Sequence, residues 1–323
     1  MVYIAIFGLL IFGQIYTSSA YDIWTDCSEN DISPDLPEDL RLKIEDCSLE
    51  DFENIVSTLI DSEGKQINLT SIKELKIQHD HTIKAIVKLS ILSRLFPNLE
   101  KLEIRHAIKL EEDEDGIWPM NLTDLEISSV NENVALPVFK NSASLRYLTI
   151  EEWDNLNSVE NLKVFENLEE LEMNGLKKLE RIEPFTNFQL KKLILKRIPL
   201  EKLSENLLKN LAILEELTIE NAQDHELTMP KYFLANCQNL RILTLKNLKM
   251  DPNAISEENF QNLRNLTLNN VTLNNEIMSK MGNLKYLKLE STNISFLKNL
   301  PIKSLKELQI KGIFAIGTFI SHS

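Results

Sequence analysis

The chain has 323 residues, of which 43% are hydrophobic and 26% charged, so it holds enough apolar side chains for a packed core and does not have a disordered composition. A formal net charge of −14 argues against a general nucleic-acid binder, which needs a basic footprint to displace phosphate counterions. Three cysteines are too few for a disulfide-dense scaffold.

Residues 1–20 read as a secretory signal peptide. An apolar run from Ile4 to Tyr16 is followed by Thr17-Ser18-Ser19-Ala20, which puts small side chains before a cut after Ala20. The run is shorter than the roughly 18–20 apolar residues a membrane span needs, and no later stretch is longer. Five Asn-x-Ser/Thr sequons, at Asn68, Asn121, Asn265, Asn270 and Asn293, are candidate glycosylation sites in that compartment. The simplest pairing of the cysteines joins Cys27 to Cys47 and leaves Cys237 as a buried thiol.

Residues 21–71 form an N-terminal cap segment that admits two readings. As a helix, Leu36, Leu40 and Ile44 share one face, and the segment then resembles the opening of an F-box. That resemblance implies a substrate receptor of a ubiquitin ligase, or an effector secreted into another organism's cells. As a strand, Leu40, Leu42 and Ile44 alternate toward a core.

From residue 72 to 313 one pattern recurs eleven times: aliphatic, two variable residues, aliphatic, one variable residue, aliphatic. It begins as Ile72/Leu75/Ile77, Leu99/Leu102/Ile104, Leu122/Leu125/Ile127 and Leu145/Leu148/Ile150. It continues as Leu168/Leu171/Met173, Leu190/Leu193/Leu195, Leu214/Leu217/Ile219 and Leu240/Leu243/Leu245, and ends with Leu263/Leu266/Leu268, Leu284/Leu287/Leu289 and Leu305/Leu308/Ile310. The fourth and sixth positions of each copy point to the same side of a short strand. One strand cannot bury that side alone, so successive copies must stack. Aromatic residues precede the next strand at Phe96, Phe139, Phe165, Phe185, Phe233 and Phe260, with Leu208 and Met278 in comparable places, and predict a second apolar spine.

Spacing and pattern resemble the leucine-rich-repeat family, and most closely the extracellular arrays of animals, including secreted proteins of insects. The resemblance implies an α/β leucine-rich-repeat solenoid, with a curved parallel sheet on the concave side and irregular or short helical returns on the convex side. Residues 314–323 are then a C-terminal tail after an uncapped last repeat, where self-association is one expectation. The family's usual asparagine at the ninth position is replaced by Ala107, Val130, Trp153, Leu176, Ile198, Ala222, Leu248, Val271 and Ile313. The turn backbone must therefore be satisfied in another way.

The family commonly binds partners on the concave sheet, formed here by the outward strand positions. Acidic side chains crowd the third to fifth repeats and basic ones the sixth and eighth to eleventh, which predicts a bipolar surface for a protein or peptide partner of opposite polarity. Asn265 and Asn270 would carry glycans on this side, so the expected contact lies nearer the third to sixth repeats. Its residues are Glu126, Tyr147, Glu151, Glu152, Glu170, Glu172, Lys192, Lys196 and Arg197.

Other chemistry is weakly represented. His79 and His106 occupy equivalent positions on successive repeats, near Asp80 and His81, but no tight motif closes a set of metal ligands. The acidic run Glu111–Asp115 reads as a solvated loop. No phosphate-cradling glycine loop, H-E-x-x-H or G-x-S-x-G occurs, and a buried Cys237 would be a poor nucleophile. The expectation is a non-enzymatic binding protein without cofactor, metal or membrane span.

Overall fold

All eleven copies of the aliphatic pattern place a strand where the alternation predicts one. The computed structural model describes residues 22–26, 41–45, 53, 69–78, 86–107, 109–111, 119–133, 135–139, 142–186, 189–222, 227–251, 253–255, 257–272, 281–291 and 303–312. The chain divides into two units, Met1–Asn155 and Leu156–Ser323.

The first unit contains β1 (Asp22–Asp26), β2 (Arg41–Glu45), β3 (Glu74–Gln78), β4 (Ile86–Lys88), β5 (Lys101–Arg105), β6 (Lys109–Glu111), β7 (Asp124–Ser128) and β8 (Tyr147–Glu151). Strands β1-β2-β3-β5-β7-β8 pair in that order, all parallel, and β4 pairs with β6 in a separate two-stranded sheet. Equivalent positions lie opposite one another, as in Leu42↔Leu75, Leu75↔Leu102, Leu102↔Leu125 and Leu125↔Leu148. The ladder thus extends two strands before the first clear repeat. Over Arg41–Glu45 the strand alternative holds and the helical one does not, because Leu42 and Ile44 continue the register of Leu75 and Ile77. Leu36, Leu40 and both cysteines of the expected bridge lie outside the described residues.

The second unit contains β9 (Glu170–Asn174), β10 (Lys192–Ile198), β11 (Glu216–Asn221), β12 (Leu227–Met229), β13 (Ile242–Met250), β14 (Asn265–Thr272), β15 (Tyr286–Glu290) and β16 (Glu307–Lys311). Strands β9-β10-β11-β13-β14-β15-β16 pair in order, also parallel, and β12 adds to the far half of β13. The returns are mostly turns. Among the described residues they include the short helices α1 (Leu89–Leu95) and α2 (Glu257–Asn262) and two short 3₁₀ segments, Leu69–Ser71 and Glu160–Val164.

The inward positions form the core of each unit. Leu102, Ile104, Leu193, Leu217 and Leu245 are fully buried, and so are the first aliphatic residues Leu99, Leu145 and Leu214. The predicted spine is present behind them. Phe96 and Phe139 are buried in the first unit, and Phe165, Phe185, Leu208 and Phe233 in the second. The side chains of Phe260 and Met278 lie outside the described residues.

Cys237 sits in this core, fully enclosed, and burial pushes its thiol up to about 12. The folded chain therefore keeps the proton where an unfolded thiol loses it near pH ~8.5. Above that pH the unfolded state binds fewer protons, so stability falls as pH rises toward the folded value. The expected result with iodoacetamide at pH 8 is no modification of Cys237 in the native chain and rapid modification in denaturant. Equal rates in both states would place the thiol at the surface.

Candidate binding face

The strands are held at both ends by backbone devices that repeat from rung to rung. At the entry, the carbonyl of the second position accepts two N–H groups from the next rung. Lys73 O accepts from Glu100 (2.8 Å) and Lys101 (2.9 Å), and Lys285 O accepts from Lys306 (2.8 Å) and Glu307 (3.1 Å). At the exit, the eighth position adopts a left-handed conformation at His106, Ser129, Glu152, Gly175, Arg197, Asn247, Asn270, Ser291 and Gly312. This turns the chain so that its N–H reaches the neighbouring rung. Ser129 donates to Glu151 O (3.0 Å), Gly175 to Lys196 O (3.0 Å) and Ser291 to Lys311 O (3.0 Å).

The ninth position is then free to be apolar, and Ala107, Val130, Trp153 and Leu176 are all fully buried there. The asparagine ladder has moved to the residue before the first aliphatic position. The amides of Asn98, Asn239, Asn262 and Asn283 donate to carbonyls of the preceding rung, Thr70 (2.9 Å), Ala212 (3.0 Å), Gln238 (2.8 Å) and Gln261 (2.8 Å). The recurring Asn-Leu dipeptide was the signal for it in the sequence.

With backbone and core fixed, the third, fifth and seventh positions are left to face outward. In the first unit they carry a charge ladder. Lys76 pairs with Glu103 (2.6 Å), Glu103 with Arg105, and Arg105 with Glu126 (2.8 Å). Partial burial works against the Arg105 charge, but Glu103 and Glu126 outweigh it and hold the guanidinium above its usual range. Of the residues expected to bind a partner, Glu126 is thus engaged within the face. Tyr147 is 41% exposed, Glu151 is half-buried and Glu152 is exposed at the turn.

In the second unit the expected acidic and basic blocks meet and zip together. Glu169 pairs with Lys191 (2.6 Å), Glu170 with Lys192 (3.1 Å) and Glu172 with Lys196 (2.9 Å), and Arg197 donates to Asn174 Oδ1 (2.9 Å). Further along, Lys246 pairs with Glu220 (2.7 Å) and Lys288 with Glu290 (3.1 Å). Lys192 lies in register between Glu170 and Glu216. Burial opposes its charge, and the hydrogen bond to Glu170 with the fields of Glu170, Glu216 and Glu172 raises its pKa above the usual value. Opposite charges this close cancel beyond a Debye length of about 8 Å, so at these rungs the face presents paired charges and not a broad bipolar field.

The pairs also flank two outward side chains that sequence reasoning missed. Ile194 and Thr218, in register on β10 and β11, are each only 7% exposed although they point away from the core. The consecutive apolar run Leu193-Ile194-Leu195 was the available signal.

Three sequons lie among the described residues. Asn121 and Asn270 are exposed, whereas Asn265 is half-buried at the start of β14 with Thr267 on the outward face. Asn68, Asn293, His79, Asp80 and His81 lie outside the described residues, and His106 occupies a left-handed turn. Among the described residues no group of three metal-ligating side chains converges, and no helix is long and apolar enough to cross a membrane. On the return side, Val159, Leu162, Ile182 and Phe185 line a shallow groove.

No family model and no curated sequence matches the chain. Solved structures do. The mouse RP105/MD-1 complex matches with a TM-score of 0.57 at 19% identity, over 85% of this chain and 47% of that one. CroV588, described as a novel circular LRR protein, gives 0.54 at 17% over 90% and 46%. The TLR13–ssRNA13 complex gives 0.50 at 16% over 84% and 51%. The chain spans about half the length of these chains, and what it shares with them is the fold, a leucine-rich-repeat solenoid of parallel strands with almost no helix.

Proposed function

We propose that this chain is a secreted, non-enzymatic leucine-rich-repeat protein that binds a protein or peptide partner through the outward faces of its sheets. The observation that carries the reading is Tyr147, a large aromatic side chain 41% exposed on the outward row among half-buried charges. Such a residue is a characteristic anchor of interfaces. In the second unit the corresponding surface is formed by Glu170, Glu172, Lys192, Lys196 and Arg197 around the nearly buried Ile194. Among the structural neighbours, RP105 is seen in complex with MD-1 and TLR13 with single-stranded RNA. The net charge of −14 favours the protein class of partner here.

In this reading residues 1–20 are a cleaved signal peptide and 21–71 a cap closed by a Cys27–Cys47 bridge. Residues 72–313 are the eleven-repeat array and 314–323 the tail, and glycans sit on some of the five sequons. The strand at Arg41–Glu45 favours this cap over the F-box-like alternative.

The test starts from protein made in insect cells. Material in the medium should begin at Tyr21, lose mass on deglycosylation and show two fewer free thiols than cysteines. That protein is then used to select binders from a displayed random-peptide library. Two variants, Tyr147→Ala with Glu151→Ala, and Glu170→Ala with Lys192→Ala and Arg197→Ala, are measured against the selected peptides. At least one should lose about tenfold or more in affinity, roughly 1.4 kcal/mol. Unchanged affinity in both would move the binding surface off these faces, and retention in the cytosol would overturn secretion.

A further inference from the structure

From β3 to β15 the inward positions of the repeat are closed, and on β16 they are not. Leu287 and Leu289 on β15 are 2% and 1% exposed, whereas the equivalent Leu308 and Ile310 on β16 are 43% and 38% exposed. Strand β16 pairs with β15 on one side, and among the described residues nothing pairs with its other edge. A free edge that also presents two large aliphatic side chains is a template for another strand.

The sequence of β16 specifies which strand would fit. It reads Glu307-Leu308-Gln309-Ile310-Lys311. Laid antiparallel against itself with the dyad at Gln309, it sets Glu307 opposite Lys311 of the second copy, and Lys311 opposite the second Glu307. The same register sets Leu308 opposite Ile310, twice, on the inward side. Charges of opposite sign meet on one face, apolar side chains meet on the other, and Gln309 meets its own copy at the centre. Gln309 already donates to Glu307 within the chain, which orients that carboxylate along the outward row. Lys311 faces Glu290 of β15 in register, and Glu290 is in turn held by Lys288, so Lys311 keeps capacity for a second carboxylate. A parallel pairing would instead oppose Glu307 to Glu307 and Lys311 to Lys311, with like charges stacked at both ends.

We propose that two copies of this chain associate by antiparallel pairing of β16 with β16, about a two-fold axis through Gln309. The contact is isologous, so each substitution acts twice. The self-complementary register gives the expected self-association a defined geometry, and it is independent of the partner face described above.

The test is a charge exchange in the full chain, read by analytical ultracentrifugation from micromolar to sub-millimolar concentration. Wild type should show a reversible monomer–dimer equilibrium. Glu307→Lys alone and Lys311→Glu alone should each weaken it about tenfold or more, since two attractive cross-strand pairs become repulsive. Mixed one to one, these two single variants should form a heterodimer at close to wild-type affinity, because every opposed pair is then Lys with Glu. The double variant, Glu307→Lys with Lys311→Glu, should self-associate like wild type. Recovery in the mixture also shows that both single variants are folded. A wild type that stays monomeric at the highest concentration overturns the proposal, and so does a dimer indifferent to the single reversals or not restored by the exchange.

Discussion

Trp153→Ala is expected to lower the unfolding free energy by about 3–5 kcal/mol, the range for removing a buried aromatic side chain. Trp153 is fully buried at the ninth position of its repeat and heads the largest side chains in the core. It does more than fill space, because its indole N–H donates to Asn133 O (2.9 Å). Asn133 in turn clamps the return before it. Its Oδ1 accepts from the Leu110 N–H (2.9 Å) and its Nδ2 donates to the Leu110 carbonyl (3.0 Å). Two side chains in series, Trp153 and Asn133, therefore tie three successive returns of the first unit.

Trp153→Phe separates the two contributions. It keeps most of the apolar volume but leaves the Asn133 carbonyl short of a donor, and should cost about 1–3 kcal/mol. Scanning calorimetry of both variants checks the order. If Trp153→Phe is as damaging as Trp153→Ala, the hydrogen bond dominates the packing; if both are near neutral, Trp153 is not in the core.

The second large effect is expected at Asn259, a buried amide on α2 that is 2% exposed. Its Nδ2 donates to Leu234 O (2.7 Å) and Cys237 O (3.2 Å), so one side chain satisfies two carbonyls of the preceding return. Leu234 O also accepts the Cys237 N–H (2.8 Å) and Cys237 O the Leu240 N–H (3.3 Å), so Asn259→Leu keeps the size and removes the second donor of each carbonyl, at about 0.5–1.5 kcal/mol for each hydrogen bond lost. Asn259→Asp should be worse. The amide nitrogen becomes an oxygen facing two carbonyl oxygens, in a place where a charge is poorly solvated. Urea denaturation should rank wild type above Asn259→Leu, and Asn259→Leu above Asn259→Asp at neutral pH. Lowering the pH should recover part of the loss in the aspartate variant as its carboxyl takes up a proton and can donate once. A neutral Asn259→Leu would mean that the backbone donors of Cys237 and Leu240 satisfy these carbonyls by themselves.

Asn259 and Asn133 mark the limit of what the repeat pattern reveals. Both lie in returns, whose lengths vary, so no fixed offset from the Leu positions flags them. The more regular asparagines, Asn98, Asn239, Asn262 and Asn283, could have been read from their place before the first aliphatic residue. The resemblance places that residue at the ninth position instead, where this chain carries apolar side chains. The candidate face shows the same division. The outward placement of Tyr147, Lys192 and Glu170 followed from alternation alone, whereas the burial of Ile194 between ion-paired neighbours did not.

The amino-acid sequence by itself determined the repeat, the strand at each copy, which residues face the core and the register between them. Those follow from a period of two within a strand and a period of 21–27 residues between strands, and every copy states them again. Only the tertiary structure decided how the charges are paired, how the exit turn is satisfied and which inward side chains stay exposed. Glu170 and Lys192 are 22 residues apart and meet because β9 lies beside β10, which no local pattern encodes. The left-handed turn at Glu152 or Arg197 is imposed on residues with no preference for it by the rungs on which it sits. Leu308 reads like every other leucine of its position; it is exposed because no rung lies beyond β16 among the described residues, and burial is a property of neighbours.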